Sequence, residues 1–135
     1  MKKNFTNILY WIAMAGLVLY FAYTKGWILA NFESITAQQA RALLENDRNV
    51  TLLDVRTIQE FKSGHLRDAK LIPLSVLEKN LDKLEADKHR KIIVYCRSGN
   101  RSVSASRILK KHGFVPLNVK GGIIMLIKEK AEIVK

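Results

Sequence analysis

Residues 91–102 read Lys-Ile-Ile-Val-Tyr-Cys-Arg-Ser-Gly-Asn-Arg-Ser and include the single cysteine of this 135-residue chain, Cys96. The run Lys91–Tyr95 predicts a short, doubly buried strand, because β-branched and aromatic residues follow one another without polar alternation. From Ser102 onward, apolar residues recur with helical spacing as far as Gly113. The segment therefore predicts a strand, a six-residue loop and a helix, with Cys96 at the end of the strand.

A cysteine at this position has a chemical use. A loop that leads into a helix turns several unpaired backbone N–H groups inward, and the helix dipole adds partial positive charge. Arg97 and Arg101 add formal positive charge, which favours the nucleophilic thiolate, and Gly99 suits a close backbone approach. A lone cysteine is more often a small buried hydrophobe. The flanking arginines and the position between strand and helix favour a reactive thiol here.

Six other short motifs accompany the cysteine loop. They are Leu53-Asp54-Val55-Arg56, Glu60-Phe61, Gly64-His65-Leu66, Ile72-Pro73, Gly113-Phe114 and Gly121-Gly122-Ile123. In identity, order and spacing, these motifs and the loop resemble single-domain rhodaneses, a family of sulfurtransferases, over about residues 35–134. The resemblance implies a rhodanese-like α/β fold with a central parallel sheet and helices on both faces.

The resemblance also implies a two-step relay of sulfur without a cofactor. Cys96 takes sulfur from a small anionic donor such as thiosulfate, forms a persulfide, and passes the sulfur to a thiol or to cyanide. A protein donor or acceptor is an alternative partner. The substrate-binding residues implied are Arg97, Ser98, Gly99, Asn100 and Arg101, whose backbone N–H groups would hold the terminal sulfur.

Two other functions remain open. The first is a tethered sulfur carrier or binding module without turnover. Family members that act on thiosulfate often have a lysine where this chain has Ser98, and a tryptophan where it has Leu126. The second is a cysteine-dependent phosphatase or arsenate reductase, which uses Cys-x5-Arg. Here only four residues separate Cys96 from Arg101, and Ser102 stands where that arginine is needed, so sulfur transfer is favoured.

The remaining motif residues are expected to support the structure. Asp54 and Arg56 follow a buried strand and predict a structural ion pair, either with Glu60 or with each other. His65 is expected to be a hydrogen-bonded packing residue rather than a base, since an ionised thiol needs none.

Strands and helices alternate along residues 34–135. The predicted helices are Ala37–Glu45, with Thr36 and Gln39 as a capping box, a short helix capped by Thr57 that ends near Gly64, Ser75–Leu84 and Ile123–Lys130. The other predicted strands are Val50–Val55, Lys70–Ile72 and Val115–Val119. Such alternation implies a parallel sheet with helices on both faces, and ligands bind such sheets at the carboxyl ends of their strands.

Residues 1–33 are predicted to be a membrane anchor and linker that precede the domain at 34–135. The run Ile8–Tyr23 has no charge, and residues 24–30 would bring it to the length of about 20 residues that a bilayer requires. We therefore expect a single-pass transmembrane helix within residues 8–30; a cleaved signal peptide is the alternative. Lys2 and Lys3 predict a cytoplasmic N-terminus. In a bacterium this would place the domain on the periplasmic side of the inner membrane.

The chain is basic, with 23 lysines and arginines against 12 acidic residues and a net charge of +11. Residues 1–33 hold three lysines and one glutamate, so most of this charge lies on the domain. Small anions or an anionic membrane surface fit such a charge. Nucleic-acid binding is not expected, because no basic stripe contains interleaved aromatic residues. Three scattered histidines and one cysteine predict no metal site.

Overall fold

A computed structural model describes Lys2–Lys135. It contains two compact units, one that ends at Ala30 and one from Asn31 to Lys135. The first unit is dominated by helix α1, Lys2–Thr24. Residues Lys3–Thr24 of this helix are long and apolar enough to cross a membrane, with a mean hydropathy of 1.6.

Helix α1 ends earlier than the sequence predicted. Gly26 adopts a left-handed φ of 74°. The N–H of Gly26 donates to Tyr23 O, and the N–H of Trp27 donates to Ala22 O at 2.8 Å. This pair of bonds is a Schellman motif, which closes the last helical turn. Residues 25–30 therefore do not lengthen the span, and the helix instead extends toward Lys2.

The second unit is an α/β domain. Its strands are β1 (Glu33–Ile35), β2 (Val50–Asp54), β3 (His65–Leu66), β4 (Lys70–Leu71), β5 (Lys91–Tyr95), β6 (Val115–Val119) and β7 (Ile133–Val134). Its helices are α2 (Ala37–Asn46), α3 (Ile58–Lys62), α4 (Leu74–Leu77), a 3-10 helix (Glu78–Asp87), α5 (Asn100–Lys111) and α6 (Gly122–Lys128). Five strands form a parallel sheet in the order β1-β6-β5-β2-β4, and β3 pairs with β7 antiparallel.

The strand that ends in Cys96 divides the core into two layers. Ile93 and Tyr95 face the layer that contains Leu126 of α6 and Ala40 of α2. Alternate residues of the same strand, together with Cys96, face the opposite layer, which contains Leu109 of α5 and Leu77. Burial on both faces explains the unbroken apolar run of β5 and confirms the predicted parallel sheet with helices on both sides.

The predicted capping box of α2 is present, and the predicted cap of α3, Thr57, also forms one. The hydroxyl of Thr36 accepts a hydrogen bond from the N–H of Gln39, and the side-chain oxygen of Gln39 accepts one from the N–H of Thr36. Thr57 and Glu60 make the same reciprocal pair at the start of α3. These local patterns fix where both helices begin.

Three predictions of secondary structure were wrong in detail. The helix expected over Ser75–Leu84 is split, because Asn80 leaves helical geometry (φ −120°) and donates its side-chain amide to Val76 O. The last helix ends at Lys128 rather than Lys130, since Lys130 adopts a left-handed φ of 60°. Strand β1 begins at Glu33, which had been assigned to the linker.

Candidate active site

Cys96 lies at the carboxyl end of β5 and is only 1% exposed. Its Sγ accepts a hydrogen bond from the N–H of Gly99 at 3.1 Å. Helix α5 begins at Asn100, two residues before the predicted start, so the six-residue loop was an overestimate. The cause is Gly99, whose left-handed φ of 105° turns the chain directly into the helix. The sulfur therefore lies at the N-terminus of α5.

Ser102 is the side chain that contacts the sulfur. The Cys96 thiol donates to Ser102 Oγ at 3.5 Å, and this hydroxyl donates to Gly99 O at 3.2 Å. Ser102 is fully buried. The sequence had singled it out only as the residue in place of a phosphatase arginine. Its position three residues after Gly99, in the first turn of a helix without a side-chain N-cap, is the signal that could have revealed this contact.

Helix α6 supports the loop from behind. The N–H of Ile123 donates to Cys96 O at 2.8 Å, and the N–H of Ile124 donates to Arg97 O at 3.3 Å. The C=O and N–H of one peptide point in opposite directions. Because both carbonyls point at α6, the N–H groups of Arg97 and Ser98 point away from it.

Gly122 makes this support possible. A Cβ at this position would lie 2.4 Å from Cys96 O and 2.5 Å from the carbonyl of Arg97. Only glycine therefore allows α6 to pack so closely against the cysteine loop.

Arg101 is held by Glu60. Its guanidinium donates two hydrogen bonds to the carboxylate, at 2.7 and 2.8 Å. The hydrogen bond from Arg101 is the main reason that the pKa of Glu60 falls from 4.5 to about 2. Hydrogen bonding to Glu60 raises the pKa of Arg101, and its Coulomb interactions with Glu60 and Cys96 raise it further. Glu60 had been expected to pair with Asp54 or Arg56, and that alternative was wrong.

Arg97, Ser98 and Asn100 are exposed around the sulfur, and Gly99 is half-buried. No carboxylate within residues 2–135 pairs with Arg97. Of the two arginines in the predicted loop, Arg97 is therefore the one that has no carboxylate partner among the described residues.

Comparison with known proteins places this geometry in a family. Residues 36–124 match the family Rhodanese, described as a rhodanese-like domain. The chain belongs to the rhodanese-like domain family. A solved structure of a rhodanese-related protein from Thermoplasma volcanium superposes on this domain with a TM-score of 0.68. The two are 35% identical, and the alignment covers 76% of this chain and 98% of that one.

Two relatives show what family membership does and does not establish. YqhL of Bacillus subtilis, an uncharacterized protein, is 30% identical over 87% of this chain and 90% of its own length. MoeZ of Mycobacterium tuberculosis, named a probable adenylyltransferase/sulfurtransferase, is 32% identical over 74% of this chain. The rhodanese-like domain matches only 26% of MoeZ. The relatives therefore include a protein named as a probable sulfurtransferase, and the matched region makes up very different shares of their chains.

Asp54 and Arg56 of the rhodanese-like domain pair with each other, as one of the two alternatives predicted. The guanidinium binds both carboxylate oxygens, with a shortest distance of 2.7 Å, and also donates to Gly64 O at 2.8 Å. Both side chains are buried, at 6% and 0% exposure. This pair ties the end of β2 to the segment before β3.

Tyr95 makes a further link to that segment. Its hydroxyl accepts a hydrogen bond from the N–H of Leu66 at 3.1 Å, and burial raises its pKa above the ordinary value. Tyr95 and Cys96 face opposite layers of the core. The phenol therefore supports the sheet beneath the cysteine loop rather than the sulfur itself.

His65 is a packing residue, as expected. Its Nδ1 is 2.9 Å from Phe61 O, and its ring stacks on that of Phe61 with centroids 3.6 Å apart. Among the described residues, no group of three His, Cys, Asp or Glu side chains could hold a metal ion.

A groove in the domain lies away from the cysteine. It has a volume of about 660 Å³ and is lined by residues such as Thr51, Lys70 and Asp87. These residues form an ion-paired network in which Asp87 accepts from Thr51 at 2.8 Å and from Lys70 at 2.7 Å. Neither Cys96 nor any residue of its loop lines this groove.

Proposed function

We propose that this protein is a sulfurtransferase that carries sulfur as a persulfide on Cys96. The observation that carries the proposal is the position of Sγ, which receives the N–H of Gly99 at the uncapped N-terminus of α5. Backbone N–H groups and the positive end of a helix stabilise a thiolate and, after sulfur transfer, the charged terminal sulfur of a persulfide.

In the first step, the Cys96 thiolate attacks the outer sulfur of a donor such as thiosulfate. A new S–S bond forms at Sγ, the donor's S–S bond breaks, and sulfite leaves with the electron pair. In the second step, a thiolate or cyanide attacks the terminal sulfur and releases Cys96 as a thiolate. No net proton or external electron is needed in either step.

The residues around Cys96 have separate roles in this proposal. Arg97 attracts the anionic donor. The N–H groups of Arg97, Ser98, Gly99, Asn100 and Arg101 surround the terminal sulfur. The hydroxyl of Ser102, which donates to Gly99 O beside the thiol, rotates to donate to the thiolate.

Phosphate chemistry is a poorer fit. A phosphatase needs an arginine whose two N–H groups are free to bind a tetrahedral oxyanion. Arg101 already uses two of its five N–H groups on Glu60, and it stands one residue too early for the Cys-x5-Arg pattern. A sulfur carrier without small-molecule turnover is the second candidate. It is favoured by Ser98, because family members that act on thiosulfate often have a lysine at this position.

The test is thiosulfate:cyanide sulfurtransferase activity of the full-length chain in detergent, with intact-mass measurement after incubation with thiosulfate. We expect an adduct of one sulfur atom that Cys96→Ser abolishes, while the circular dichroism spectrum is unchanged. An adduct without thiocyanate formation would support the carrier. Turnover that persists in Cys96→Ser would contradict both roles.

We further propose that α1 anchors the domain to a membrane, with the N-terminus in the cytoplasm. Its apolar side chains are exposed; Trp11, for example, is 68% exposed. Its length also fits a bilayer. The anchored protein should stay in the membrane fraction after an alkaline wash and retain its full intact mass. Loss of about the first 24 residues would identify a signal peptide instead. External protease that digests the domain in spheroplasts would support the proposed orientation.

A further inference from the structure

Within the domain from Asn31 to Lys135, exposed large apolar side chains are concentrated on α6. Three residues of this seven-residue helix are large, apolar and exposed: Ile124 at 43%, Met125 at 38% and Ile127 at 53%. The same helix buries Ile123 and Leu126 in the core. The fold therefore already uses one face of α6, and the other face presents apolar surface to the outside.

This exposed face adjoins the cysteine loop. Ile124 donates its N–H to Arg97 O at 3.3 Å. The side chain of Met125 covers Gly121, where a Cβ would lie 2.2 Å from Met125 Cγ. Gly121 in turn touches Gly99, since a Cβ on Gly99 would be 3.2 Å from Gly121 N. The exposed apolar surface of α6 therefore lies directly beside the cysteine loop.

The charges beside this face are mainly positive. Arg97, Lys120 and Lys128 are exposed next to it, whereas Glu129 is half-buried. The carboxylate of Glu60 is already bound to Arg101. An apolar centre with a basic rim complements a surface that is apolar at its centre and acidic at its rim.

We propose that this α6 face, made of Ile124, Met125, Ile127, Arg97, Lys120 and Lys128, docks the protein that exchanges sulfur with Cys96. This inference rests on the proposed function and narrows its substrate class to a protein persulfide or protein thiol with an acidic rim. A free anion such as thiosulfate gains nothing from contact with apolar side chains, whereas a protein partner buries them.

The transfer is balanced without a co-reactant. The Cys96 thiolate attacks the outer sulfur of the partner's persulfide, R–S–SH. A bond forms between Sγ and that sulfur, the partner's S–S bond breaks, and the partner leaves as the thiolate R–S⁻. The proton stays on the transferred sulfur, and there is no net oxidation.

The experiment uses the full-length chain in neutral detergent micelles and three persulfide probes. Two are synthetic peptides with one persulfidated cysteine flanked by leucines, one with a rim of glutamates and one with a rim of lysines. The third is the persulfide of free cysteine. At low salt we expect loading of Cys96, followed by intact mass, to be about tenfold faster from the glutamate peptide than from the lysine peptide. The preference should shrink with added salt.

Matched variants locate the contact. Ile124→Ser combined with Ile127→Ser should slow loading from the glutamate peptide about fivefold, as expected for lost apolar contact. Val115→Ser combined with Val76→Ser, at similar exposures of 43% and 40%, should not. Lys128→Glu should slow the same reaction, whereas Lys111→Glu should have no effect. Equal loading from the two peptides, or equal effects in both sets of variants, would overturn the proposal.

The small probe separates this inference from the proposed function. If cysteine persulfide also fails to load Cys96, sulfur transfer itself is wrong. If it loads every variant normally while the peptides show no preference, only the docking face is wrong. A change in oligomeric state caused by the Ile124 and Ile127 variants would assign the face to a second copy. Peptide loading that is blocked in anionic nanodiscs but not neutral ones would assign it to lipid. Either result would overturn the proposal.

Discussion

Two neighbouring strands of the domain end in the same way. Strand β5 leads through Gly99 into α5, and β6 leads through Gly121 into α6. Both glycines are left-handed, with φ of 105° and 77°, and neither helix has a side-chain N-cap. The first turn, at Gly99, holds the sulfur atom of Cys96. The second turn, at Gly121, packs against the opposite side of the first.

The difference lies in what surrounds each turn. Around the first, Sγ of Cys96 occupies the space in front of the helix N-terminus. Around the second, carbonyl oxygens of the first turn occupy that space and accept the N–H groups of Ile123 and Ile124. A left-handed glycine before a helix can therefore form a binding site or support one. The residues that pack against the helix N-terminus determine which of the two it does.

The largest expected effect comes from the support. Gly122→Ala should reduce the free energy of unfolding by about 3–5 kcal/mol, because the new Cβ collides with backbone atoms that cannot move away. Gly113→Ala is the control. It also has a positive φ of 87°, but its Cβ would meet only the flexible end of Lys88 at 3.3 Å. Its cost should be about 1–2 kcal/mol. Denaturant unfolding measures both, and equal losses would contradict the crowding at Gly122.

The second prediction concerns an ion pair that only the first turn possesses. Glu60→Gln should destabilise the protein by about 1–2 kcal/mol at neutral pH, since it weakens a bidentate pair with Arg101. The pKa of Glu60 is depressed in the folded state, so its contribution is complete above about pH 4.5 and disappears as the pH falls toward 2. The stability difference between variant and wild type should shrink over the same range.

The control for this pair is Glu45→Gln. Glu45 also binds an arginine, Arg41, at 2.8 Å, but the two side chains are 57% and 41% exposed. Its loss should cost less than about 0.5 kcal/mol. A Glu60 variant that behaved like the Glu45 variant would show that Arg101 needs no carboxylate to keep its place.

A smaller effect is expected in the sulfur-binding turn itself. Ser102→Ala removes the hydroxyl that links the thiol to Gly99 O, which should cost about 1 kcal/mol in stability. Sulfur uptake by Cys96 should also slow about fivefold, because the thiolate loses one hydrogen-bond donor. Ser104, exposed on the same helix, provides the matched control as Ser104→Ala. Uptake rates that match in the two variants would exclude a role for the hydroxyl.

The smallest effect is expected from Arg97→Ala. It should leave stability unchanged and slow the reaction with thiosulfate about threefold at low ionic strength, with the difference lost at high salt. Lys111→Ala, a change of equal charge at the far end of α5, should not alter the rate. A salt-independent loss would mean that Arg97 positions the loop rather than attracting the donor.

Local features were predictable from the sequence. Strand β5 was predicted with its observed bounds, and the capping box of Thr36 and Gln39 was predicted because its partners are three residues apart. Thr57 was predicted as a cap, but its partner Glu60 was not identified. The position of Cys96 at a strand end follows from the same kind of local pattern, since a buried apolar run gives way to glycine and polar residues.

Features that depend on distant residues were not predictable. Arg101 and Glu60 are 41 residues apart, so no periodicity indicates that the two form an ion pair. Strand β1 has only three residues, and its partner strand β6 is far away in the sequence, with Ile35 opposite Val119. Lys130 adopts a left-handed conformation that glycine usually adopts after a helix. Because no glycine stands there, the sequence did not indicate where α6 ends.

The strand order has a consequence for biosynthesis. The first strand of the domain, β1, pairs with β6, so Glu33 lies opposite Leu117. Strand β5, which carries Cys96, is bordered by β6 and β2. A chain that emerges from a ribosome or a translocation pore from its N-terminus onward cannot close this sheet until residue 119 has emerged. In the nascent protein, the strand that carries the cysteine loop therefore stays without one of its two neighbours until β6 has emerged.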